Sequence, residues 1–142
     1  MNPTLEKFGY PATLVAELEH WAILLRREQV TLGSLALAAK SDAKRYSDLP
    51  PQAFTEQGEA VRRIERALAP FVGFEKINYL MLMMVDPNPH FHVIPRYSTP
   101  RTWGGIEFAD AGWPKAPRLD APITLDDAQV AGLVADISDN FR

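Results

Sequence analysis

The sequence of 142 residues predicts an α+β domain: an antiparallel sheet of about five strands, one long helix, and an irregular C-terminal arm with a closing helix. Short apolar runs bounded by Gly, Pro or charged residues occur before residue 40 and after residue 75, as strands do. A helical repeat of apolar side chains lies between them. Because this length suits one core, we expect a single domain over residues 1–142, with its core at about 13–97 and its arm at 98–142.

Three strands are predicted in the first forty residues. Residues 13–19 and 20–26 are expected to form a hairpin, which places His20 at its turn as an ordinary surface residue. A connection ending in Gly33 leads to the third strand, at residues 34–40. The N-terminal half of the sheet therefore comes from one continuous stretch of chain.

A long helix is predicted between residues 48 and 73. Pro50-Pro51 can open such a helix, and Pro70 with Gly73 marks its end. Apolar side chains recur near 3.6-residue spacing and predict the face that packs on the sheet: Phe54, Val61, Ile64, Leu68 and Phe71.

Two further strands and a closing helix are predicted after it. Residues 76–85 and 90–96 are expected to pair in antiparallel fashion across the short turn 86–89, with the methionines at 81, 83 and 84 in the core. After the arm, residues 124–141 predict a helix with Thr124 as N-cap and acidic residues in its first turn.

The composition excludes several classes of function. Fifteen Lys and Arg against eighteen Asp and Glu give a net charge of -3, which supplies no broad basic surface for nucleic acid. The absence of cysteine excludes disulfides, thiol nucleophiles and thiolate metal sites. The most hydrophobic run, residues 79–85, is far shorter than the roughly 20 residues of a membrane helix. We expect a cytoplasmic protein with no membrane partner.

The strongest candidate site is a histidine pair on the last predicted strand. His90 and His92 are two of only three histidines, and strand alternation places them on one face together with Asn88. Imidazole attacks phosphorus when neutral and binds phosphate when protonated. The residues alone leave three interpretations open: ordinary surface histidines, phosphate chemistry, and a zinc or iron site. A metal needs a third ligand, and the available side chains have no diagnostic spacing: Asp42, Asp86, Asp110 and His20.

The segment NPHFHVIPR, residues 88–96, resembles the signature strand of the histidine triad superfamily, in which three histidines alternate with apolar residues before Pro-Arg. His90 and His92 match the second and third histidines, and Asn88 stands in the first position. Residues 33–54 are similar to the family's glycine-led strand and helix start, and residues 14–33 to its opening hairpin. The chain therefore resembles a divergent member over about residues 13–97.

The resemblance implies a homodimeric protein that binds a nucleotide and needs neither a cofactor nor a resident metal. It implies hydrolysis or transfer of nucleoside monophosphates from dinucleoside polyphosphates or nucleoside phosphoramidates through a covalent nucleotidyl-histidine. His90 would be the nucleophile and His92 would hydrogen-bond the phosphate oxygens. The alternative is a nucleotide-binding or regulatory protein that has lost most turnover.

Four further residues are expected to bind substrate. Asn78 is similar to a phosphate-binding asparagine of the family. Asp42 stands where the family has a histidine, and the alternative for it is a residue of a turn or helix start at Ser41-Asp42. Lys40 and Arg96 lie at the ends of predicted strands, where their charges would either attract the phosphate or remain solvated.

Two departures from the family pattern bear on rate and substrate. Asn88 retains a carbonyl that can orient His90 and an NH₂ group that can donate to phosphate, but it cannot give a proton to a leaving group. The family's acidic ribose-binding residue falls on Arg26 or Arg27, which cannot accept hydrogen bonds from ribose hydroxyls. An arginine there has two expected roles: a solvated charge, or a partner for a second phosphate.

Overall fold

A five-stranded antiparallel sheet is the centre of the computed structural model, which describes residues 1–142. Its strands run in the order β1-β2-β4-β6-β5. Their bounds are β1 Leu14–Glu17, β2 Trp21–Leu25, β4 Leu35–Ala39, β5 Lys76–Leu80 and β6 His90–Arg96, while β3, Glu28–Gln29, lies outside this sheet. The predicted α+β class and the five-stranded sheet are confirmed.

One face of the sheet is covered by the long helix α2, Pro51–Val72, which begins after a 3-10 turn at Tyr46–Asp48. The helix ends at Gly73, which adopts the left-handed conformation with φ 60°. Its buried stripe contains more alanine than predicted: Ala53, Ala60, Ile64, Ala67, Leu68 and Val72. Phe54 was predicted on this stripe, but it is 39% exposed. Ala53 takes the sheet-facing position instead, where its carbonyl accepts a hydrogen bond of 2.7 Å from Nε1 of Trp21.

The opposite face of the sheet carries small side chains and is covered by the N-terminus. Residues of β2 and β4 form a second apolar cluster with Leu5: Ala22, Leu24, Ala36 and Ala38. Leu5 belongs to a short helix, α1, Pro3–Lys7, whose N-cap is Asn2. The side-chain NH₂ of Asn2 donates to the carbonyls of Ala39 and Ser41, both at 2.8 Å, and ties the N-terminus to the end of β4.

The predicted strand over residues 76–85 is too long, because β5 ends at Leu80. Residues 81–89 form an irregular loop in which Met83 has a positive φ of 49°. The prediction that the methionines fill the core is wrong for Met84, which is 85% exposed. The loop turns away from the sheet beyond the pair Leu80–His92, so its apolar side chains have no core to enter.

The C-terminal arm is more regular than predicted. Strands β7, Arg101–Trp103, and β8, Ile106–Phe108, form a small hairpin, and β9, Ile123–Thr124, pairs with β3. The closing helix α3, Asp127–Asp139, is capped by Asp126 in a capping box with Gln129. Thr124 is therefore not the N-cap, because it belongs to β9. No helix in the structure is both long and apolar enough to span a bilayer.

Candidate functional site

The histidine pair lies on the face of the sheet opposite α2, above small side chains. His90 is opposite Ala38 on β4, and His92 is opposite Ala36. The two rings are perpendicular, with centroids 5.1 Å apart. Both line a cavity of about 140 Å³ whose other walls come from the loop after β5: Leu82, Met83, Met84, Val85 and Asp86. His90 is 2% exposed, so the cavity is its route to solvent.

The backbone carbonyl of Asn88 fixes the tautomer of His90. This oxygen lies 2.7 Å from Nδ1 of His90 and can only accept a hydrogen bond, so Nδ1 carries the proton. In the neutral ring Nε2 then holds the lone pair. It makes no hydrogen bond and is not among the fully buried unpaired atoms of the chain. This ring nitrogen is thus unpaired and accessible from the cavity.

His92 is held in the neutral form by its surroundings. Burial lowers its pKa from the usual 6.5 to about 4, and the positive charge of Arg26 and the neighbouring His90 act in the same direction. Asp86 opposes them weakly by favouring the charged form. Nδ1 of His92 is buried and has no hydrogen-bond partner. At neutral pH this ring is a neutral hydrogen-bonding group beside His90.

The side chain of Asn88 connects the pair to the N-terminal helix. Its Oδ1 accepts hydrogen bonds from the hydroxyl and the backbone N–H of Thr4, at 3.0 and 3.3 Å. Its NH₂ donates to the carbonyl of Ala43 at 2.9 Å. The predicted orienting role of the Asn88 carbonyl is present, whereas the amide that was expected to donate to phosphate is engaged with protein atoms.

Phe8 is the site residue that the sequence analysis missed. Its ring lies 5.5 Å from that of His90 and 5.9 Å from that of His92, centroid to centroid. Phe8 follows α1 directly, and the sequence does contain a signal for that helix, because Asn2-Pro3 is a typical N-cap followed by proline at the first helical position. The N-terminal segment is therefore part of the site.

Several solved structures share this architecture. A histidine triad protein from Sinorhizobium meliloti 1021 matches with a TM-score of 0.74 and 22% identity, over 99% of this chain and 95% of that chain. One from Bradyrhizobium japonicum matches with a TM-score of 0.70 and 20% identity, over 91% and 90%. This protein has the histidine triad fold. A hypothetical histidine triad nucleotide-binding protein from Sulfolobus tokodaii has a TM-score of 0.68 at 18% identity, over 97% and 89%. No protein-family profile and no curated protein matches the sequence.

Within this histidine triad fold, Asn78 and Arg96 lie by a different cavity, of about 430 Å³, with Trp113 in its wall. Arg96 binds Asp110 through Nε and Nη2, at 2.6 and 3.1 Å, and its Nη1 donates to Oδ1 of Asn78 at 2.7 Å. Arg96 also donates to the carbonyl of Lys115 at 2.7 Å. These contacts anchor the arm to the end of β6.

Lys40 and Asp42 are also absent from the wall of the histidine cavity. Nζ of Lys40 lies 3.0 Å from a carboxylate oxygen of Glu17 and donates to the carbonyl of Leu18 at 3.1 Å. Asp42 is exposed in the turn after β4. Of the seven residues predicted for the site, the structure brings together His90, His92 and Asn88.

The candidates for a third metal ligand are dispersed. Asp86 lines the cavity with the histidine pair, but Asp110 is bound to Arg96. The three-residue group whose ligand atoms approach within 4.8 Å of one another is elsewhere, at the turn between β1 and β2: Glu19, His20 and Glu56. His90 and His92 thus do not form such a group with Asp86, although all three line the same cavity.

The structure separates the two arginines that the sequence left as alternatives. Arg27 donates to the carbonyl of Leu125 at 3.0 Å and to Asp127 at 2.7 Å, so it fixes the start of α3. Arg26 projects from the other side of the chain, with Nε and Nη1 buried and without a hydrogen-bond partner.

Proposed function

We propose that the protein binds a nucleotide in the cavity beside His90 and His92 and transfers its nucleoside monophosphate to water or another acceptor through a covalent nucleotidyl-His90. The observation that carries this proposal is the 2.7 Å contact between Nδ1 of His90 and the carbonyl of Asn88, which leaves Nε2 as a free nucleophile. The fold supports it, because the neighbour from Sulfolobus tokodaii is described as a nucleotide-binding protein. The substrates we propose are dinucleoside polyphosphates and nucleoside phosphoramidates.

The reaction has two steps. The lone pair on Nε2 of His90 attacks the α-phosphorus, an N–P bond forms, and the bond to the leaving group breaks. The positive charge that develops on the ring is stabilised because Nδ1–H donates to the Asn88 carbonyl. Water then attacks the same phosphorus, the N–P bond breaks, one water proton passes to solvent, and the nucleoside monophosphate leaves. His92 donates a hydrogen bond to the non-bridging oxygens in both steps.

The position of Asn88 favours a second candidate function, nucleotide binding with little turnover. Its amide is bonded to Thr4 and Ala43, and it has no proton to give to the leaving group. Loss of a general acid lowers a rate by about 10²–10⁴-fold. We therefore expect slow turnover, which is fastest for leaving groups that depart as stable anions.

Single-turnover incubation with diadenosine tetraphosphate labelled in the α-phosphate tests the proposal. We expect an acid-labile adenylyl group on the wild-type protein and its loss in His90→Ala. His20→Ala is the matched control, because His20 lies at the hairpin turn away from the cavity, and it should label normally. Labelling or turnover that survives in His90→Ala contradicts the proposed nucleophile. Tight AMP binding without any labelled protein supports the second candidate function instead.

A further inference from the structure

The chain leaves three buried side-chain nitrogen or oxygen atoms without a hydrogen-bond partner, and they belong to two residues. They are Nε and Nη1 of Arg26 and Nδ1 of His92. Buried polar atoms are nearly always paired in folded proteins, and unpaired ones often mark a site that is completed by another molecule. In a chain of 142 residues, Arg26 and His92 are therefore the two residues whose unpaired atoms point to a missing partner.

Arg26 and His92 project from the same face of the sheet. The backbone N–H of Arg26 donates to the carbonyl of Ser34 at 3.1 Å, which continues the pairing of β2 with β4. Because side chains alternate along a strand, Arg26 lies on the same face as Leu24. Leu24 is paired with Ala36 on β4, and Ala36 is paired with His92 on β6. Arg26 and His92 therefore share this face. The positive charge of Arg26 also contributes to the lowered pKa of His92, which indicates that the two side chains are close in space.

No acidic residue neutralises Arg26. Glu28 acts on it through charge, but it is exposed and makes no hydrogen bond with it. Arg27 shows the contrast, because it binds Asp127 and a backbone carbonyl. Arg26 is half-buried, and two of its three guanidinium nitrogens are buried without a partner, which is unfavourable. Its planar fork of donors matches the oxygens of a phosphate.

We propose that Arg26 and Nδ1 of His92 form a second phosphate-binding subsite, which holds a phosphate group of the ligand other than the one that His90 attacks. This inference rests on the proposed function and narrows the ligand to a nucleotide with at least two phosphate groups. Oxygens of one phosphate can accept hydrogen bonds from both Arg26 nitrogens and from Nδ1–H of His92. The negative charge of the bound phosphates favours the protonated ring, in which Nε2–H can still donate to the phosphate that His90 attacks. Because His92 also lines the cavity of His90, its ring connects the two phosphate positions.

Calorimetry with three ligands locates the second phosphate. AMP has one phosphate, ADP has a second in the chain, and adenosine 3′,5′-bisphosphate has a second on the ribose. We expect the wild-type protein to bind one of the two-phosphate ligands at least about 10-fold more tightly than AMP. This factor is the affinity that a hydrogen bond between charged groups typically adds. Which of the two is preferred shows whether the subsite takes a chain or a ribose phosphate.

Variants of the two adjacent arginines make the test specific. Arg26→Gln should abolish the preference for two phosphates, and Arg26→Lys should restore part of it by returning the charge. Arg27→Gln is the matched control and should keep the preference, because the guanidinium of Arg27 is already bound to Asp127 and to the carbonyl of Leu125. Equal affinity of the wild-type protein for AMP and both two-phosphate ligands, or an unchanged preference in Arg26→Gln, overturns the subsite.

A second readout separates this proposal from the proposed function. Pyrophosphate added to ¹⁵N-labelled protein should shift the imidazole nitrogen signals of His92 in the wild type and in His90→Ala, but not in Arg26→Gln. The subsite stands on this result even if no nucleotidyl-His90 forms. An absent shift in the wild-type protein means that only water pairs these atoms, and it overturns the proposal even if His90 proves to be the nucleophile.

Discussion

At the scale of single residues, His90 and His92 have the same side chain but are held differently. His90 has one ring nitrogen bonded to a carbonyl and the other free, which is the orientation that the proposed nucleophile needs. His92 has a buried nitrogen without a partner, and a nearby arginine disfavours its charged form. The two rings can therefore perform different functions although they are separated by a single residue.

The pKa of His92 should be about 4 in an NMR titration, well below the usual 6.5, because burial and Arg26 disfavour its charged form. Phe8→Ala should raise this pKa by exposing the ring, and Arg26→Gln should raise it by removing the charge. Between pH 6.5 and about 4 the unfolded chain binds a proton that the native His92 does not. This residue therefore reduces stability as the pH falls through that window. A titration at or above 6.5 contradicts the burial of this ring.

Asn88 supports the fold as well as the site. Asn88→Ala should lower the free energy of unfolding by about 2–3 kcal/mol, because it leaves buried partners at Thr4 and Ala43 unpaired. Chemical denaturation of Asn88→Ala, Thr4→Val and the double variant measures the interaction. We expect a coupling energy of about 1–2 kcal/mol between the two positions. Strictly additive effects would show that this hydrogen bond does not hold the N-terminus.

At the scale of elements, α1 exists because of its contacts and not its length. A helix of five residues is unstable by itself, since nucleation is unfavourable. It forms here because Asn2 and Thr4 are fully buried and bonded to distant parts of the chain. The same contacts bring Phe8 onto the two imidazoles.

Two glycines of the long helix region should respond to alanine in opposite ways. Gly58→Ala should stabilise α2 by roughly 0.5–1 kcal/mol, because alanine favours helix and the added Cβ approaches Arg62 no closer than 3.6 Å. Gly73→Ala should destabilise the protein by roughly 1–2 kcal/mol, because φ is 60° there and the left-handed region is strained for alanine. Thermal denaturation compares both variants with the wild type. Shifts of the same sign in both would contradict this assignment of the helix end.

At the scale of the whole molecule, the C-terminal arm is fixed to the sheet by a buried ion pair. The side chains of Arg96 and Asp110 are 5% and 1% exposed. Arg96 also reaches Asn78 on the neighbouring strand and the carbonyl of Lys115 in the arm. The pair thus joins β5, β6 and the arm.

Arg96→Met should destabilise the protein by about 3–5 kcal/mol, because it leaves the carboxylate of Asp110 buried without its partner. The arm should also become sensitive to limited proteolysis. Arg118→Ala is the matched control: it removes an exposed ion pair within the arm, with Asp120, and should change stability little. If both variants are equally stable, the buried pair does not anchor the arm.

The sequence predicted most elements of the fold because their signals are local. Apolar runs bounded by turn residues located the strands, and helical spacing located α2. The errors occurred where tertiary contacts decide. Phe54 fits the helical spacing, but Ala53 faces the sheet. Residues 81–85 are as apolar as β5, yet the strand ends at Leu80.

The sequence by itself determined the class of fold and the shared face of His90 and His92, because alternation along a strand needs no information from elsewhere. Only the tertiary structure decided that Arg26, and not Arg27, faces the histidines without a partner. It also decided that the Asn88 amide binds Thr4, which is 84 positions away in the chain. These contacts depend on how segments that are distant in the chain pack together, and local sequence periodicity carries no information about that packing.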